Sequence, residues 1–190
     1  MLRPFLFVLT ALAASWLGMT ALHELGHVLN AWLSGGRVTH VELPPRGLGH
    51  TEVSRNPSPR FVAWGGALWG SFLGAAPMLL VRRGELALWF ARFFAGACLI
   101  ANGVYLAVGC FIGDPNGADD AHELLRHGAA AWQLVAFGVL TVAAGLTLWH
   151  RLGPRAGFMN ASSLAGWKTV SAFAAFTAAL LAVGWLLPIA

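Results

Sequence analysis

An almost wholly apolar run spans residues 4–33, and His23-Glu24-Leu25-Gly26-His27 lies in its C-terminal half. No other feature narrows the fold as far. A run of this length can cross a hydrocarbon core as a tilted helix, which satisfies its backbone hydrogen bonds internally. An ionisable side chain at that depth costs about 2.5 kcal/mol or more, so its presence points to a function and to a partner. Helical spacing indicates the partner: residues four apart stack on one face, so His23 and His27 can offer imidazole nitrogens to a single cation. Glu24 is rotated by about 100° from His23. That places it beside the ligands, as suits a general base toward water activated by a metal.

Composition agrees with a membrane location. The chain is 57% hydrophobic and 11% charged, with mean hydropathy +0.66, outside ordinary soluble usage. Its 190 residues fit one membrane-embedded domain over 1–190, with room for about four to six spans and short connections. The net charge of +4 comes from 12 basic residues dispersed along the loops, the ordinary flanks of membrane spans. No basic helix or aromatic-interleaved basic patch is present, so nucleic acid is not an expected partner. Cys98 and Cys110 fall on one expected helix about 18 Å apart, too far to bridge within it, and read as packing residues. Met1-Leu2-Arg3 before an apolar run resembles a leader peptide. The run continues without a polar region into the histidine motif, so it reads as a retained span.

The expected fold is an all-α integral membrane protein of about five transmembrane helices, at 4–33, 61–81, 86–112, 129–150 and 167–187, in a multi-pass arrangement in the cell membrane. A short β-hairpin at about 37–54 separates the first two, because Val38, His40, Val41, Leu43, Thr51 and Val53 are strand-like and flank Pro44-Pro45-Arg46-Gly47. Its unpaired edges can accept an extended peptide. In the second span Gly66, Gly70 and Gly74 leave one face without side chains, a surface for close approach by the first span. Asn102 sits mid-span in the third helix and must find hydrogen bonds, from another helix, a bound strand or a metal ligand. Residues 120–127 read as a short amphipathic helix capped by an aspartate.

Two histidines do not complete a catalytic zinc site, which usually has three protein ligands and one open position. A third histidine downstream, as in one soluble class, is absent, since Val28 to Gly36 contains none. His40 and His50 read as surface residues of the hairpin. The acidic cluster after the third span remains, and it offers Asp114, Asp119 and Asp120.

Taken together, His-Glu-Leu-Gly-His on a first membrane helix, then Gly35-Gly36, a hairpin, a glycine-rich second helix and aspartates after a third helix resemble the site-2 protease family of intramembrane zinc metallopeptidases, in its compact branch. The resemblance covers most of residues 1–128. It implies His23 and His27 as zinc ligands and Glu24 as the base. Compact relatives carry an Asp-x-x-x-x-Leu helix start, which puts Asp120 first as the third ligand, with Asp119 and Asp114 as alternatives. Better-known members have Asn-Pro-x-x-x-x-Asp-Gly on the later helix, with an Asn that helps hold the substrate strand. Here Asn102 is followed by Gly103-Val104-Tyr105, and no Asp-Gly follows at that distance.

The expected activity is a zinc endopeptidase that hydrolyses peptide bonds of membrane-spanning or membrane-associated substrates, with Asn102 a candidate partner for the substrate backbone. Two other classes compete with it. A non-catalytic scaffold that binds metal or membrane clients would be marked by loss of Glu24 or a histidine, and all three are present. A small transporter would be marked by discontinuous helices in paired repeats, and the sequence has no internal repeat.

Overall fold

A computed structural model describes residues 2–44, 47, 49–112, 119–150, 152–157 and 164–186. In chain order these form α1 (Leu2–Leu33), β1 (Arg37–Glu42), β2 (His50–Arg55), α2 (Pro59–Leu80), α3 (Glu85–Gly109), α4 (Asp120–Arg126), α5 (Ala131–Trp149), α6 (Leu152–Arg155) and α7 (Trp167–Leu186). Among the described residues, α1, α2, α3 and α5 are long and apolar enough to cross a membrane. The fifth expected span falls on α7, a further apolar helix of 20 residues. The protein is a multi-pass integral membrane protein.

Local chemistry sets the element ends. Helix α1 stops where Gly35 adopts φ +77°, a left-handed conformation open to glycine, and the Gly36 N–H donates to the Ala31 carbonyl at 2.7 Å. A proline in the first turn starts α2, where its missing N–H costs nothing. The hairpin is antiparallel, pairing Val41 with Thr51 and Glu42 with His50, and its register shifts around Thr39. Along β2 the period of two turns Thr51 and Val53 toward the bundle and leaves His50, Glu52 and Ser54 exposed.

The helices meet through small residues. Helix α1 crosses α2 where Gly26 and Gly65 lie backbone to backbone, and α3 crosses α5 where Gly96 and Gly103 meet Gly145 and Gly138. The expected glycine face of α2 divides between two partners. Gly66 faces the His23 and His27 rings of α1, whereas Gly70 and Gly74 face Asn102 and Cys98 of α3. A four-residue row is inclined to the helix axis, so a helix wedged between two neighbours presents its ends to different ones.

Two apolar clusters hold the bundle. One joins Phe7 of α1 to Trp89 and Phe93 of α3, with Leu152 against them and the Trp89 indole N–H donating to the Leu152 carbonyl at 3.1 Å. The other gathers Ala63 and Ala67 of α2, Leu106 of α3, Ala121 and Leu124 of α4, and Leu134 of α5. Ala121 and Leu124 are fully buried. Their burial fixes the position of a helix only 7 residues long, too short to persist alone.

Candidate metal centre

The start of α4 determines which aspartate faces the bundle. Asp119 is the N-cap: its side chain accepts the His122 backbone N–H at 3.0 Å and also the His122 ring Nδ1, at 2.9 Å from Oδ2. Its carboxylate is thus committed to its own helix. Asp120, the next residue, begins the helix proper, and its backbone N–H donates to the Tyr105 hydroxyl at 3.2 Å. Its carboxylate turns to α1, where Oδ2 lies 2.8 Å from His23 Nε2 and 3.3 Å from His27 Nε2. Asp114 lies outside the described residues.

His23, His27 and Asp120 each offer one ligand atom, and these atoms lie within 4.8 Å of one another. Both imidazoles are oriented from behind. His23 Nδ1–H donates to Asn102 Oδ1 at 2.7 Å, and His27 Nδ1–H donates to the Val62 carbonyl at 2.9 Å. Such bonds fix the tautomer that leaves each Nε2 lone pair toward the centre. The Asn102 amide is fixed in turn, because its Nδ2 donates to the Cys98 carbonyl at 2.9 Å. Asn102 therefore braces a histidine, one of the roles open to it from the sequence.

The residues present fit a zinc ion. Two imidazoles and one carboxylate make a usual catalytic zinc donor set that leaves a fourth position open. Gly66 provides a second, steric sign of fit: a Cβ there would run into both Nε2 atoms, so glycine keeps this space clear. Asp120 supplies the carboxylate oxygen of this donor set.

Glu24, 3% exposed, is rotated off the ligand face of α1 toward the hairpin, where Oε2 accepts the Thr51 hydroxyl at 2.7 Å. Histidines, glutamate and aspartate together line a cavity of about 900 Å³. Its far wall includes residues 49–54, so β2 rather than β1 forms most of the hairpin side.

Three contributors were not identified from the sequence. Thr51 looked only strand-like, and Val62 acts through its carbonyl, which no side-chain pattern marks. Tyr105 carried the one available signal: it is the only tyrosine of the chain and lies three residues after Asn102, on the same helical face.

A family model described as Peptidase M50B-like matches residues 6–112. The matched region holds α1, the hairpin, α2 and α3, and ends before Asp120. Neither the curated proteins nor the solved structures contain a match to the chain.

Proposed function

From the premise that the chain belongs to the Peptidase M50B-like family, the site-2 protease type of intramembrane metalloprotease, we propose that it is an active zinc endopeptidase cleaving membrane-spanning or membrane-associated substrates. One observation carries this reading: His23 Nε2, His27 Nε2 and Asp120 Oδ2 converge with Glu24 alongside in one cavity. In this reading His23, His27 and Asp120 would hold the ion. When bound, zinc supplies Lewis acidity that polarises a scissile carbonyl and makes water a stronger acid. Glu24 takes the proton from that water and returns it to the departing amine.

The remaining residues orient and admit. Asn102 and the Val62 carbonyl keep the two imidazoles aimed, a positioning role rather than contact with substrate. A substrate helix hides its carbonyls in its own hydrogen bonds and must be unwound before attack. The free edge of β2, which faces the cavity, suits capture of the unwound segment as an added strand.

The test is purification in detergent, measurement of bound zinc, and cleavage of a model transmembrane peptide by wild type and Glu24→Gln. One zinc per chain with cleavage lost in the variant supports the peptidase. Zinc with cleavage by neither protein favours a client-binding scaffold.

A further inference from the structure

We propose that Thr51 is a positioning residue for the base Glu24, so that strand β2 sets the proteolytic machinery as well as lining its cavity. The assignment rests on the peptidase reading above. It starts from the pleat of β2, which turns Thr51 inward while His50 and Glu52 point out. The Thr51 hydroxyl donates to Glu24 Oε2 at 2.7 Å, across 27 residues of sequence. Two residues earlier, just before the strand begins, the chain closes on the same carboxylate. A Cβ at Gly49 would fall 2.6 Å from both Cγ and Oε1 of Glu24, a distance real Cβ atoms do not reach. Glycine at 49 therefore lets the backbone lie against the glutamate, and threonine at 51 ties down one of its oxygens.

Glutamate has three side-chain rotors, and proton transfer needs one geometry among their combinations. A hydrogen bond to an ionised oxygen in a buried site is strong enough to select it, and it leaves the other lone pairs of the carboxylate for the reaction. The neighbours on α1 cannot do this, since His23 is held by Asn102 and Asp120, and His27 by Val62 and Asp120. The hairpin reaches Glu24 from the opposite side. Because β2 also faces the cavity, a strand added to it would brace the segment that orients the base.

The test compares Thr51→Val and Thr51→Ala, which remove the hydroxyl, with Thr51→Ser, which keeps it, all in the full zinc-loaded chain in detergent. For Val and Ala the expected result is kcat lower by about 10- to 100-fold with KM and bound zinc near wild type, the effect of one lost charge-assisted hydrogen bond. Serine is expected to restore kcat to within about threefold of wild type. Wild-type kcat in both hydroxyl-free variants, a change confined to KM, or a serine variant as slow as valine would each overturn the assignment alone. A zinc-loaded wild type that cleaves nothing would overturn the peptidase reading and this assignment with it.

Discussion

His23 Nδ1 and Asn102 Oδ1 lie 2.7 Å apart, joining α1 to α3 across 79 residues of sequence. The bond gives a mid-membrane amide a partner and fixes which nitrogen of His23 points at the candidate metal. Removing it is expected to weaken zinc binding about 10- to 100-fold, the usual cost of losing a residue that orients a metal ligand. Asn102→Ala, titrated with zinc against a competing chelator, checks this; an unchanged affinity would remove Asn102 from the site.

Gly66 has no side chain between the two Nε2 atoms. Gly66→Ala is expected to abolish zinc binding while the helices persist, since alanine favours a helix by about 1 kcal/mol over glycine. Metal analysis beside circular dichroism reads both halves. Full zinc occupancy in this variant would show that the ion sits elsewhere.

The neighbours Asp119 and Asp120 should separate cleanly. Asp120→Ala is expected to lose zinc, whereas Asp119→Ala should keep it and lose about 1 kcal/mol of stability, the typical worth of a helix cap. Bound zinc and thermal unfolding of the two variants decide the assignment, and the reverse pattern would transfer the ligand role to Asp119. Asp114→Ala is expected to behave as wild type in both measurements.

Tyr105 accepts the Asp120 N–H, one of the first-turn donors that a helix cannot satisfy by itself. Tyr105→Phe leaves that donor without its acceptor and is expected to cost about 1 kcal/mol in thermal stability, with weaker zinc binding. Stability and affinity equal to wild type would show that the bond contributes nothing.

The packing of α4 is open to the same kind of check. Leu124→Ala hollows a fully buried position in the cluster that seats Asp120 and is expected to cost about 2–5 kcal/mol. Zinc affinity should fall along with unfolding temperature. A stability loss with affinity untouched would mean that Asp120 is held by its own contacts rather than by the seat of its helix.

Much of this protein is written locally in the chain. Apolar runs of membrane length mark the helices, alternation and turn residues mark the hairpin, and His23, Glu24 and His27 fall into register because a helix repeats every few residues. Those signals depend on neighbours along the sequence and need no knowledge of packing. The candidate third ligand does not: Asp119 and Asp120 are chemically alike, and which of them faces the imidazoles turns on which one caps α4. Likewise nothing near Thr51 in sequence announces Glu24, and nothing near Gly66 announces two imidazoles. These pairings arise only where helices cross and the hairpin folds back, because the distances that matter are set by packed Gly26 on Gly65, by Leu124 in its seat and by the pleat of β2. Local order along the chain is enough to specify a membrane bundle carrying two imidazoles and a carboxylate on one helix. Tertiary packing decided which carboxylate lies beside the two imidazoles, since that closeness is set where helices cross, and here the Asp120 carboxylate and the His23 ring come from segments 97 residues apart.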